Sequence, residues 1–166
     1  MLSINTERLS LLEITEADCE FILELMNTAG WLKFIGDRGV KSVDQAKQYI
    51  ENRIRSSYLE YGFGMNKIVL KNDNVPIGMC GLVKRDYLEG PDIGFAILPE
   101  YEGFGYAFEA AQAVLNHAIH ELKLSNVMAI TDPDNERSQK LIRKLGMKER
   151  SSIDPQGKSI SMFSYR

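Results

Sequence analysis

Residues Pro91–Ala118 read PDIGFAILPEYEGFGYAFEAAQAVLNHA, and the stretch contains no lysine or arginine. The run DIGFAIL has the composition of a strand, two glycines follow at 103 and 105, and a helical apolar pattern then begins. That order predicts a strand, a tight corner and a helix. A helix that starts just past a strand points its free N–H groups and positive dipole end at the gap between the two elements. Such a corner suits an anion. Gly103 and Gly105 allow close backbone approach and unusual dihedrals, and Ala107 keeps the first turn small, so backbone alone can hold a phosphate group. The same glycines also fit a plain strand-to-helix turn, and the corner taken alone leaves both readings open. Neither glycine leads into Gly-Lys, which excludes the lysine-bearing phosphate loop, and Phe108 occupies the position of the third glycine in a dinucleotide fingerprint.

Upstream, RLSLLEI (Arg8 to Ile14) alternates weakly before TEAD, where Thr15 can cap a helix carrying Phe21, Ile22, Leu25 and Met26 on one face, ending near Gly30. Ser42 and Gln45 form a second capping pair ahead of a helix with Ala46, Tyr49, Ile50 and Ile54 inward. GMNKIVLK and VPIGMCGLV, joined through Asn72 to Asn74, read as an antiparallel hairpin. Downstream of the corner, a long helix from about Gly105 to Leu122 carries Phe108, Ala111, Leu115, Ala118 and Leu122 on one face. NVMAIT is a short buried strand, and DPDN opens a last helix that Gly146 stops. Two weaker strands, near Met147 to Ser151 and Ile160 to Tyr165, close the chain. The expected order is β-α-α-β-β-β-α-β-α-β-β in one α/β domain spanning residues 1–166.

A chain of 166 residues suits one hydrophobic core, and a net charge of −3 argues against broad binding to nucleic acid. The N-terminus lacks the pattern of a signal peptide, and no run approaches a membrane span. Cys19 and Cys80 are isolated in apolar surroundings, which fits a reducing compartment, the cytoplasm, and offers no metal site.

With LPEYEGFGYAFEAA and NERSQKLIRKLGMK following a strand in that order, the chain resembles the GNAT superfamily of acyl-CoA-dependent N-acyltransferases over nearly its whole length. It looks closest to the RimJ/RimL-like branch, with IGDRGVKSVDQAKQYI contributing to that likeness. The resemblance implies a mixed, mostly antiparallel central sheet with helices on both faces and a splayed pair of strands, Ile93–Leu98 and Val127–Thr131. It implies acetyl-CoA as cosubstrate and no metal, with the pantetheine arm lying along the backbone of Ile97 and Leu98. A bulge in that strand would bring an N–H to the thioester carbonyl, and such a donor stabilises a developing oxyanion. The family pattern Q/R-x-x-G-x-G/A maps onto Glu102, Gly103, Phe104, Gly105, Tyr106 and Ala107, which would hold the pyrophosphate. Glu102 stands where glutamine or arginine is usual, and its charge opposes an anion unless the side chain points away. Asn135 would cap the last helix and hydrogen-bond the cofactor arm.

Ser138 shares a helix face with Leu141, Ile142 and Leu145, so its hydroxyl is expected inward. The resemblance brings it within reach of the sulfur, in place of a tyrosine whose position here is Ile142. It could equally bond a carbonyl one turn back. For a general base, Asp92 opens the strand beside the expected acceptor site, and Asp86 and Glu89 precede it; each could be a solvated loop carboxylate. His117 and His120 have no partner pattern, and Arg137, Lys140, Arg143 and Lys144 could meet the ribose phosphate or form a solvated face. The reading is an acetyltransferase acting on a primary amine, either a protein N-terminus or a small amine, by direct attack in a ternary complex, as a monomer or homodimer. A non-catalytic acyl-CoA-binding module of the same fold is the alternative, and a nucleotide-dependent oxidoreductase is disfavoured by the failed fingerprint.

Overall fold

The computed structural model describes residues 3–166; Met1 and Leu2, where the reading of a leader-free N-terminus begins, lie outside it. Eight strands form one sheet in the order β1-β2-β3-β4-β5-β6-β8-β7. They are β1 (Ser3–Asn5), β2 (Leu9–Glu13), β3 (Met65–Leu70), β4 (Val75–Val83), β5 (Asp92–Ile97), β6 (Met128–Thr131), β7 (Lys148–Glu149) and β8 (Ser161–Ser164). Every neighbouring pair is antiparallel except β5 and β6. The hairpin expected around Asn72–Asn74 is present, and Asn74 adopts a left-handed φ of 53° that asparagine tolerates. β1 is an addition to the expected order, too short at three residues to show a period.

Helices cover both faces. On one side lie α1 (Cys19–Met26), α2 (Val43–Tyr49) and α3 (Ser56–Tyr61). Their core joins Ile22, Leu25, Ala46 and Ile50 to Met79 and Leu98 of the sheet side. The N–H of Thr15 donates to Asp18 at 2.8 Å, and Ser42 accepts the N–H of Gln45 at 3.2 Å, so both expected helix starts are capped. The second helix is not one regular element, because a π-helical stretch, Ile50–Arg55, separates α2 from α3. On the other face α4 (Tyr106–His120) and α5 (Glu136–Lys144) pack through Ala110, Ala111, Val114, Leu115, Ile142 and Leu145 against Leu11, Ile68, Cys80 and Ala129. Gly146 ends α5 with a φ of +88°.

Candidate active site

The site begins with an interruption in the sheet. β4 and β5 pair along all six residues of β5, whereas β5 and β6 share only the register pair Asp92↔Met128. The two parallel strands therefore meet at their N-terminal ends and part toward their C-terminal ends, as the expected splay requires. Strand geometry decides which backbone groups face the gap. The N–H of Leu98 donates to Ile77 of β4 at 2.8 Å, and strand residues alternate between their two edges, so Phe95 and Ile97 turn N–H and C=O toward the gap. Ile97 thus stands where expected. Leu98 does not: its N–H is taken by Ile77, its carbonyl accepts from Tyr101 at 2.9 Å, and its side chain is buried. Phe95 replaces it as the second backbone group on the open edge. The expected bulge in this strand is also absent, since β4 and β5 hold one register throughout and the irregularity falls between Ile68 and Val69 in the pairing of β3 with β4.

Past β5, a single 3-10 turn (Pro99–Tyr101) leads into the glycine corner. Gly103 and Gly105 have φ of +86° and +83°, and Gly105 is the N-cap of α4. The helix starts without a side-chain cap, and its first return bond runs from Glu109 N–H to the Gly105 carbonyl at 3.0 Å. The N–H groups of Tyr106, Ala107 and Phe108 therefore precede any helical partner and carry the positive end of a fifteen-residue dipole. Phe104 is 59% exposed beside them and stacks on Tyr106 with ring centroids 5.7 Å apart.

The corner lacks a cation in its own sequence, but two arginines reach it from elsewhere. The Glu102 carboxylate accepts from Arg137 of α5 at 2.9 Å, so its charge is paired. The same pair brings the start of α5 to the loop. Arg8, in the turn between β1 and β2, donates from Nη1 to the Phe104 carbonyl at 2.9 Å and from Nε to Glu109 at 2.6 Å. Its guanidinium also lies 4.5 Å from the centre of the Tyr106 ring. Glu109 accepts in addition from the Arg8 N–H and the Thr6 hydroxyl. Burial alone would raise the Glu109 carboxyl, yet these donors and the Arg8 charge outweigh it and hold the group below the usual carboxylate range. No sequence pattern flags these contacts, because 96 residues separate Arg8 from Phe104.

On α5, Asn135 caps the helix by accepting the Ser138 N–H at 3.2 Å, which leaves its amide nitrogen unspent among the described residues. Ser138 is half-buried on the face that carries buried Ile142 and Leu145. Its hydroxyl makes no hydrogen bond to the described residues, so the back-bond to the preceding turn does not form. Asp92 has a different setting from the one expected. It sits at the closed end of the gap, about 16 Å along the strand from Ile97, is 2% exposed, and holds Arg85 at 2.8 Å. Burial raises its carboxyl above the ordinary range, and Arg85 offsets part of that rise. Asp92 is thus a buried carboxylate held in an ion pair with Arg85. Asp86 and Glu89 are exposed, and His117 and His120 lie at the far end of α4 from the corner. Arg143 pairs with Glu149, and Lys144 lies over the Phe108 ring.

A family model described as "Acetyltransferase (GNAT) domain" matches residues 8–148. The chain belongs to the GNAT acetyltransferase family. Among this GNAT chain's relatives is the "Uncharacterized N-acetyltransferase YnaD" of Bacillus subtilis (strain 168), 27% identical over 145 residues that cover 87% of this chain and 82% of the relative. Another is the "Spermidine N(1)-acetyltransferase" of Escherichia coli (strain K12), 23% identical over 130 residues, 78% of this chain and 67% of the relative. A solved structure of RimL, a "Ribosomal L7/L12 alpha-N-protein acetyltransferase" in complex with coenzyme A, superposes with a TM-score of 0.84 at 15% identity, covering 98% of this chain and 97% of that one. The GNAT cosubstrate, acetyl-CoA, fits the residues present. Phe95 and Ile97 offer an unpaired edge to an amide-bearing arm, and the uncapped amides of α4 suit a pyrophosphate. A Cβ placed on Gly103 would meet nothing within 4 Å, which leaves that backbone open to approach. Among the described residues no group of three or more His, Cys, Asp or Glu is arranged to hold a metal, and no helix is long and apolar enough to cross a membrane.

Proposed function

We propose that this protein moves the acetyl group of acetyl-CoA to a primary amine, and that the acceptor is an α-amine at a peptide N-terminus, as in the RimJ/RimL-like branch. The observation that carries the cosubstrate is the run of unspent backbone groups from Phe95 and Ile97 to the start of α4. In the reaction the amine nitrogen attacks the thioester carbonyl, the C–N bond forms, the C–S bond breaks, and the nitrogen loses a proton while the thiolate gains one. Gly103, Phe104, Gly105, Tyr106 and Ala107 hold the pyrophosphate through backbone, Asn135 holds the arm through its free amide nitrogen, and Ser138 supplies a hydroxyl to the departing sulfur. Attack is direct. Cys80, the thiol opposite Phe95 on β4, is fully buried, and burial pushes it far above its ordinary value, so it is no nucleophile at neutral pH.

The choice of acceptor rests on the setting of Asp92. An amine must be neutral to attack; a free α-amine has a pKa near 8 and a lysine or polyamine amine one near 10, roughly. With Asp92 spent on Arg85 at the closed end, an acceptor that loses its proton near pH 8 without help suits the site best. Thiol release from acetyl-CoA, measured against N-terminally free peptides, lysine-only peptides and polyamines and followed by mass spectrometry of the product, tests this. Peptides modified at the α-amine are the expected products. Acetylated polyamine or lysine as the dominant product refutes the acceptor, and CoA binding without turnover on any amine makes the protein a binding module.

A further inference from the structure

Resting on that reading of acetyl-CoA as cosubstrate, we propose that Arg8 is a cofactor-anchoring residue whose Nη2 donates to the pyrophosphate above Gly105. The stretch that forms the phosphate corner carries no cation, and the fold supplies one from the turn between β1 and β2. Three contacts fix the guanidinium: Nε to Glu109 at 2.6 Å, Nη1 to the Phe104 carbonyl at 2.9 Å, and the Tyr106 ring at 4.5 Å; the backbone N–H of Arg8 also donates to Glu109, at 2.9 Å. Arginine has five N–H donors in a rigid fork, so holding Nε and Nη1 orients Nη2 without using it. Nη2 has no partner among the described residues, and it lies 3.5 Å from where a Cβ on Gly105 would stand. The space that glycine leaves empty is therefore bounded by an oriented, unspent donor on one side and by the free amides of α4 on the other.

Glu109 fixes this arginine and does not cancel it. Its carboxylate bonds Nε, the Arg8 backbone N–H and the Thr6 hydroxyl, and no hydrogen bond joins it to Nη2, the nitrogen that borders Gly105. A lysine at this position would keep the charge but lose the simultaneous hold on Phe104 and Glu109.

The test compares acetyl-CoA with S-acetyl-pantetheine, a thioester that has the same reactive end and lacks the pyrophosphate, in the wild type, Arg8→Gln and Arg8→Lys. The expected result is a fall of at least tenfold in kcat/KM for acetyl-CoA in Arg8→Gln, carried by KM, with kcat at saturation within twofold. S-acetyl-pantetheine should show no change beyond twofold, and Arg8→Lys should recover part of the loss. An equal fall on both thioesters means that Arg8 shapes the gap structurally, and no fall on either means that it touches no phosphate; each overturns the proposal. Calorimetry of CoA with the wild type separates the two levels of inference: no binding overturns the cosubstrate reading and Arg8 with it, whereas normal binding with unaffected variants overturns Arg8 alone. Should Arg8→Gln fail to fold, the same comparison on Arg8→Lys decides, with a KM rise confined to acetyl-CoA required.

Discussion

Arg85→Met isolates the role of Asp92. The side chain of Asp92 is 3% exposed and its carboxylate meets Arg85 at 2.8 Å, so removing the guanidinium leaves a buried charge without its partner. Breaking a buried pair costs roughly 3–5 kcal/mol, and because Arg85 is itself 28% exposed, water can reach the vacated site, which favours the lower end, about 3 kcal/mol. For a chain of this size that corresponds to a fall in Tm of about 6–12 °C. The pH dependence has a definite sign. Asp92 already titrates above its ordinary value because of burial, and losing Arg85 raises it further. A carboxyl with a raised folded-state pKa takes up a proton on folding, so its stabilising contribution is present at low pH and lost as pH rises through that pKa. The deficit of Arg85→Met relative to wild type should therefore shrink between pH 7.5 and pH 5. The double variant Arg85→Met/Asp92→Leu should regain most of the Tm, since an apolar pair of similar bulk replaces a buried ion pair at little cost. Thermal unfolding followed by circular dichroism, with kcat on the true acceptor, gives the readout. A double variant that is stable but has lost kcat more than a hundredfold would refute the structural assignment and return Asp92 to catalysis.

Three further outcomes follow from the corner and from α5. Gly105→Val places a β-branched residue at a φ of +83°, so CoA affinity measured by calorimetry should fall at least tenfold, about 1.4 kcal/mol; unchanged affinity removes the pyrophosphate from this loop. Glu102→Gln should bind CoA equally well or more tightly, because its exposed pairing with Arg137 contributes only about 0–1 kcal/mol; a clear loss would mean that Glu102 itself favours the cofactor. Ser138→Ala should lower kcat by roughly 10 to 1000 fold with little change in CoA affinity, and a variant with wild-type kcat leaves solvent as the proton source.

Much of this site is written locally in the chain. The caps at Thr15 and Ser42, the hairpin at Asn74, the glycine corner and the Asn135 cap each depend on residues within a few positions of one another, and each appears where its spacing puts it. What escapes a linear reading depends on pairing across the fold. Leu98 and Phe95 exchange roles because the edge that each presents is set by a bond to Ile77, twenty-one residues earlier. Asp92 looks available until Arg85 folds back over it. Glu102 looks adverse until Arg137 arrives from another helix. The π-helical stretch at Ile50–Arg55 keeps its apolar residues inward, so the sequence pattern there passes for an ordinary helix.

The parting of β5 from β6 also bears on how this protein stays apart from its neighbours. Unpaired strand edges invite other chains to add to a sheet, and proteins commonly blunt them at the periphery. Here the open edge lies inside the sheet, between strands that rejoin at Asp92 and Met128, with α4 and α5 packed over one face. An intruding β-strand carries side chains on alternate sides and would have to force one set of them against α4 and α5. A thin chain with amide groups of its own and only small substituents carries no such row of side chains. The narrowness that would admit the proposed pantetheine arm thus also guards the interruption against strand addition.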